Sequence, residues 1–379
     1  MSIVTCRRSF PVTIPFKLIT ASAELAAAAA RFAKSARLAL DTEFLRERTY
    51  VAELALVQLG DATGVELVDP LAELDLAPLA ALLNDSSLPK VLHAGRQDVE
   101  VLLPLTRTPV APLIDTQIAA ALLGHAAQIG YADLVERELG TVLEKSQART
   151  DWTRRPLSRA QLEYAADDVR WLLPLAERLE ARLVARGRLE WLREDCQALA
   201  DPELYRVRPD DAWQRLKAID TLPPREQQQL RVLAAWRETE ALRRNLPRGW
   251  LLADDALRAI ARSAPRDVAA LQALDVMPAS AAGKLGPGIV AEVARAAALS
   301  LDGIEQRADA RPSPDERALA NRLTERMRTV AAQLELAPEV LATQRDLKRM
   351  AHGESPGEVL RGWRVGILAA PLAEELARG

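Results

Sequence analysis

Leu38-Ala39-Leu40-Asp41-Thr42-Glu43-Phe44 reads as a short buried strand that ends by presenting two carboxylates. Side chains alternate faces along a strand, so Asp41 and Glu43, two positions apart, point the same way, about 7 Å from each other. Two like charges on one face repel, and a core disfavours both. A divalent cation resolves the conflict, because oxygen ligands suit Mg²⁺ or Mn²⁺ and one ion neutralises several carboxylates. An Asp-x-Glu alone equally well begins a loop after a strand, so the decision rests on acids further along the chain.

Working outward, Phe16 to Ile19 reads as a strand, and the Ala-rich stretch Ala21 to Ala33 as a helix capped by Thr20. Glu53 to Gly60 alternates as a half-buried strand, and Gly64 to Val68 follows after a turn at Asp61-Ala62-Thr63, so three strands in meander are expected. A helix is expected over Leu76 to Asn84, then a short apolar strand, Lys90 to Gly95, leading into a helix that contains Asp98. Strands alternating with helices predict an α/β domain. From Asp115 onward the pattern is helical. Asp115-Thr116 caps one helix, Tyr131 to Leu139 forms another ended by Gly140, and Ser158 caps a long helix carrying Tyr164, Asp168 and Trp171.

A chain of 379 residues predicts two or three domains. Aromatics make up 4%, alanine and leucine dominate, and the net charge is −3 with a pI near 5.9, which argues against a simple basic nucleic-acid binder. A metal-dependent nuclease escapes that objection, since its acids are offset once ions bind. Cys6 and Cys196 have no spacing partner, so neither a disulfide framework nor a zinc site is expected, and a reducing cytoplasm fits. No apolar run reaches membrane-spanning length, and Pro11, Pro15 and Lys17 interrupt the region after Arg7-Arg8 that an export signal needs apolar. Pro202 and Pro209 mark a linker. Beyond it, Leu246, Leu251, Leu257 and Ala261 align with Leu336, Leu341, Leu347 and Ala351, which predicts two small duplicated helical domains. The expected organisation is a lead-in over 1–16, a catalytic domain over 17–205, and helical domains over 206–300 and 301–379.

The later acids are Asp98, one turn into its helix, and the pair Tyr164 and Asp168, which share a helix face at four-residue spacing. Several carboxylates from separate elements are what two-metal phosphodiester hydrolysis requires. Asp41-Thr42-Glu43-Phe44, His93-Ala94-Gly95-x-x-Asp98 and Tyr164-Ala165-x-x-Asp168-Val169 together resemble the DEDD superfamily of 3′→5′ exonucleases, in its tyrosine subgroup. Asp151-Trp152-x-x-Arg155-Pro156-Leu157 further resembles the ribonuclease D branch, and the helical pair resembles the helicase-and-RNase-D C-terminal (HRDC) domain, which that branch carries twice.

The resemblance implies a ribonuclease H-like α/β exonuclease domain, a mixed sheet with flanking helices, followed by two all-α bundles. It implies that Asp41, Glu43 and Asp168 ligate one Mg²⁺ or Mn²⁺, that Asp41 bridges to a second ion, that Asp98 supports the second, and that Tyr164 positions the attacking water. A phenol with an ordinary pKa of about 10 orients water rather than acting as a base at neutral pH. The resemblance also implies a monomeric exoribonuclease that trims the 3′ ends of tRNA precursors and other small structured RNAs and releases nucleoside 5′-monophosphates. A 3′→5′ DNA exonuclease and an inactive nucleic-acid-binding scaffold are the alternatives. Asp115, Asp151 and Asp167 are assigned to capping, salt bridging and solvent exposure, and His93 to packing or hydrogen bonding. For the RNA backbone, Lys145, Arg149, Arg154 and Arg155 cluster before the last motif, with Trp152 as a candidate base-stacking platform. Arg243 and Arg244 form part of a second basic stretch.

Overall fold

The structure, a computed structural model, describes residues 15–144, 147, 150–304 and 313–378. It divides into two units. The described parts of Met1–Leu45, Leu54–Tyr205 and Glu316–Gly379 form one, and Arg46–Glu53 with the described part of Arg206–Asp315 forms the other.

The first unit is built on a mixed sheet of β1 (Phe16–Ile19), β2 (Leu38–Leu45), β3 (Glu53–Gly60), β4 (Val65–Val68), β5 (Lys90–Leu92) and β6 (Leu113–Asp115), in the order β1-β4-β3-β2-β5-β6. β1 runs parallel to β4, β3 antiparallel to β4, and β2, β5 and β6 are mutually parallel neighbours. The strand with the acids therefore lies inside the sheet, where its backbone is paired on both sides.

Strand parity sorts the side chains. Leu38 and Leu40 of β2, with Val57 and Leu59 of β3, enter one core together with α1 (Ser22–Phe32), α2 (Ala77–Asn84) and α3 (Arg96–Thr106). Ala39 of β2 enters the opposite core. The chain continues through α4 (Thr116–Ala121), α5 (Tyr131–Leu139), α6 (Arg159–Arg170), α7 (Leu172–Ala185) and α8 (Leu189–Leu199). It is α6, through Ala165, Ala166 and Val169, that packs in the core containing Ala39.

Two local expectations change. Helix α1 begins at Ser22 with Ala21 at its N-cap and no side-chain cap, so burial of Leu25, Ala28, Ala29 and Phe32 holds it rather than Thr20. The helix capped by Ser158 ends at Arg170, and Trp171 separates α6 from α7.

The second unit contains α9 (Pro224–Arg244), α10 (Arg248–Leu251), α11 (Asp254–Ser263), α12 (Val268–Gln272) and α13 (Ala279–Ala298) around Leu230, Leu233, Leu257, Ile260 and Ile289. The duplication is visible in α14 (Pro314–Gln333), α15 (Pro338–Leu341) and α16 (Gln344–Ala351), which begin 90 residues after α9, α10 and α11. Even the left-handed turn residue repeats, as Asn245 at φ 50° and Glu335 at φ 53°. The copies are used differently. Together with α17 (Pro356–Val359) and α18 (Trp363–Ala377), the later copy buries Leu323, Leu341, Leu347 and Leu368 in one core with Leu122, Leu134, Leu179 and Leu183 of the helices after β6. Residues 301–379, expected as a domain of their own, thus share their described core with residues 119–196.

Candidate active site

Parity continues past the core. Asp41 and Glu43 follow Ala39 and so face α6, which carries Asp168. One oxygen from each of Asp41, Glu43 and Asp168 lies within 4.8 Å of the others. Thr42, of opposite parity, is buried and donates its hydroxyl to Asp98 Oδ1 at 2.6 Å. Asp98 is itself buried in the first turn of α3. The four acids therefore meet at the middle of β2, which runs on to Leu45 rather than ending at the acids, three in direct convergence and Asp98 joined through Thr42.

The carboxylates press on one another. Burial, followed by the proximity of Asp98, Asp168 and Glu43, pushes the Asp41 carboxyl well above its usual range. Burial and neighbouring acids do the same to Asp168 and move Glu43 up to about 9. Asp98 rises to about 6 through burial, with the Thr42 hydrogen bond pulling the other way. The charges that act on these carboxylates all belong to other acids. An all-oxygen donor set of this kind, in which the charges shifting each carboxyl come from acids among the described residues, fits a hard divalent cation.

Tyr164 and Asp168 border a cleft of about 250 Å³ whose other walls include Gly130, Tyr131, Ala132 and Leu143. Burial, then the charges of Asp168, Glu43 and Asp41, raises the Tyr164 phenol, which stays protonated at neutral pH. The remaining acids fall as assigned or nearly so. Asp115 caps α4 through the amides of Gln117 and Ile118 and also accepts from Ala94 and Gly95. Asp151 accepts from Thr153 and pairs with Arg154. Asp167 is half-buried and paired with Arg170 rather than free in solvent. His93 is hydrogen-bonded to Thr116 and to the Ile129 carbonyl.

The RNA-facing expectations divide. Trp152 is 2% exposed and packs 6.1 Å from the Tyr164 ring, so no base can stack on it. Arg155 is committed internally. Its Nε and Nη2 grip the Asp69 carboxylate at 2.6 and 2.7 Å, and its remaining donors reach the carbonyls of Ala55, Trp152 and Arg154. It clamps its segment to the sheet and has no donor left for a phosphate. Arg154 is 85% exposed, and Arg243 and Arg244 are surface residues paired with Glu240. Lys145 and Arg149 lie outside the described residues. Thr42 and Tyr131 are the site residues that sequence reasoning missed, since neither type announces a role without its partners.

The Arg155 clamp has a measurable consequence. Arg155→Ala leaves Asp69 buried and unpaired, and is expected to cost about 3 kcal/mol in a denaturant titration. Arg155→Lys should recover little, because an ammonium cannot make the two-pronged contact. Arg154→Ala, on the surface nearby, should change stability by less than about 0.5 kcal/mol.

Comparison with known proteins agrees with this architecture. Residues 16–184 match a family model described as 3′-5′ exonuclease, and residues 226–293 match the HRDC domain. The chain is 40% identical over 367 residues to ribonuclease D of Acidiphilium cryptum, covering 95% of this chain and 92% of the relative. It is 42% identical over 355 residues to ribonuclease D of Granulibacter bethesdensis, covering 92% and 89%. The crystal structure of Escherichia coli RNase D, described as an exoribonuclease involved in structured RNA processing, superposes with a TM-score of 0.86 at 32% identity, over 96% of this chain and 99% of that one. Among the described residues, no helix is long and apolar enough to cross a membrane. An exonuclease sheet whose central strand delivers its acids to α6, followed by an HRDC domain, at this identity over nearly the whole length, places the chain in the ribonuclease D family of 3′→5′ exoribonucleases.

Proposed function

We propose that this exoribonuclease trims 3′ extensions from tRNA precursors and other small structured RNAs, working as a cytoplasmic monomer, and releases nucleoside 5′-monophosphates by two-ion hydrolysis. The supporting observation is the convergence of Asp41, Glu43 and Asp168 within 4.8 Å. These three would hold one divalent ion, Mg²⁺ or Mn²⁺, and Asp41 with Asp98 would serve a second. Such ions supply a lowered water pKa and charge neutralisation on the phosphate oxygens. The side chains do the rest. Thr42 fixes the Asp98 carboxylate, and the protonated Tyr164 phenol orients the attacking water. Arg154, Arg243 and Arg244 provide exposed positive charge for phosphates, with Lys145 and Arg149 completing the set.

Incubation of the enzyme with a 3′-extended tRNA, a matched RNA oligonucleotide and the same sequence as DNA tests the reading. Mononucleotides should accumulate from the RNA 3′ ends with Mg²⁺ or Mn²⁺ and disappear with a chelator. The 2′-hydroxyl gives a protein the means to tell the two polymers apart. Equal digestion of DNA would replace the substrate assignment, and chelator-resistant release would remove the metal assignment.

A further inference from the structure

The cleft beside the acids contains a residue whose bonds are unusual in kind. Tyr131, the first residue of α5, donates its hydroxyl to the backbone carbonyl of Asp167 at 3.2 Å, near the amide of Trp171, which bonds the Val169 carbonyl. In an unbroken helix that carbonyl and that amide, four residues apart, would bond to each other. Here the helix breaks between them, since α6 ends at Arg170, α7 starts at Leu172, and Trp171 stands between with φ −105° and ψ −4°. The phenol thus takes up a carbonyl that has lost its helical partner at the break. The carbonyl it holds immediately precedes Asp168.

Tyr131 is itself fixed from the far side. The carbonyl of Ile129, two residues earlier, accepts from His93 Nε2 and from Gln117 Nε2, both at 3.0 Å. A carbonyl only accepts, so His93 carries its proton on Nε2, and its Nδ1 meets the Thr116 hydroxyl at 2.9 Å. The His93 and Tyr131 rings lie 5.5 Å apart. A continuous set of contacts therefore runs from the residue after β5, through Ile129 and Tyr131, to the peptide next to Asp168.

We infer that Tyr131 is a positioning residue for the metal centre: by tying the break between α6 and α7, its hydroxyl sets the backbone that aims Asp168 at Asp41 and Glu43. The inference rests on the reading of those three acids as ligands. Groups behind metal ligands commonly change metal affinity or activity by about 10–100-fold when removed. Tyr131→Phe keeps the ring and deletes only the hydroxyl. Mn²⁺ binding to the full-length protein, followed by electron paramagnetic resonance without RNA, should weaken about tenfold. The kcat for RNA should fall by a similar factor with KM unchanged. Amide exchange at Trp171 should accelerate in the metal-free protein.

Thr106→Val is the control, since Thr106 is also a buried hydroxyl bonded to backbone carbonyls, those of Leu102 and Thr108. It should lower Tm comparably and leave the Mn²⁺ midpoint where it was. If the wild-type protein binds no Mn²⁺, the ligand reading fails. If the wild type binds and Tyr131→Phe binds equally well, or if Thr106→Val shifts the midpoint as much, the positioning role fails. Should Tyr131→Phe not fold, Gln117→Leu, which loosens Ile129, is expected to shift the midpoint in the same direction by less, and an unshifted midpoint there overturns the inference.

Discussion

Asp41→Asn is expected to lower RNA hydrolysis by at least about 10³-fold, roughly 4 kcal/mol of transition-state stabilisation, while RNA binding survives. Asp98, Asp168 and Glu43 all act on the Asp41 carboxylate, which the proposed function assigns to the metal centre. Asparagine keeps the shape and one carbonyl oxygen but removes the charge that draws a cation, and the arginines proposed to meet phosphates are untouched. Filter binding and mononucleotide release on the same preparation separate the two effects. Substantial hydrolysis by the variant would remove the acids from the chemistry.

The same substitution should change the pH dependence of stability in a defined direction. Glu43 has a folded pKa of about 9 against an ordinary 4.5, so between those values the folded protein holds a proton that the unfolded chain has released. Stability without metal must therefore fall as pH rises through that window, because folding there requires uptake of a proton that becomes scarcer. Asp41 and Asp168 are shifted the same way and steepen the fall. Asp41→Asn removes one member of the repelling set, so its Tm in chelator should exceed that of the wild type and decline less with pH. Added Mg²⁺ should raise the wild-type Tm most at the alkaline end and the variant least. A chelated wild-type Tm that is flat or rising across the window contradicts the charge arrangement.

How far the sequence carried the reading depends on how local each signal was. The bounds of Glu53 to Gly60 and Tyr131 to Leu139 were legible to the residue because glycines end both stretches, although the strand expected as half-buried is buried on both faces from Ala55 to Gly60. Parity alone placed Asp41 and Glu43 on one face. Thr42 carried no such signal, since its role depends on β5 pairing with β2 and bringing α3 alongside. Arg155 and Trp152 looked like a basic, aromatic RNA surface because composition ignores distant partners. Asp69, 86 residues earlier, consumes the guanidinium, and the core between α6 and the sheet consumes the indole. Tyr131 looked like an ordinary helix-start aromatic, as its function arises from a helix break 40 residues later that the sequence pattern ran straight through.

The later helical copy is where folding and sequence modularity part most clearly, and it gives the second large prediction. A chain ending at Asp315 is expected not to fold cooperatively, although every proposed catalytic residue is retained. The copy covers Leu122, Leu134, Leu179, Leu183 and Leu192, each of which stabilises by about 1.5–3 kcal/mol when removed from water. Exposing them together forfeits an amount comparable to the whole of the 5–15 kcal/mol that typically holds a protein folded. Polar contacts are lost as well. Arg188 is buried and bridges the carbonyls of Leu122 and Leu334 at 2.8 and 2.6 Å, Arg364 grips Asp195, and Trp363 stacks on Trp191 with centroids 4.1 Å apart. Gly124 shows how closely the surfaces meet. It sits at φ +93°, and a Cβ there would lie 2.5 Å from the Glu335 carbonyl oxygen. Graded variants should follow the same order: Trp363→Ala should cost about 3–5 kcal/mol, and Gly124→Ala should destabilise through both its backbone and its clash. A truncated chain with a sharp thermal transition near that of the full protein would mean that this copy is appended to the nuclease fold rather than part of it.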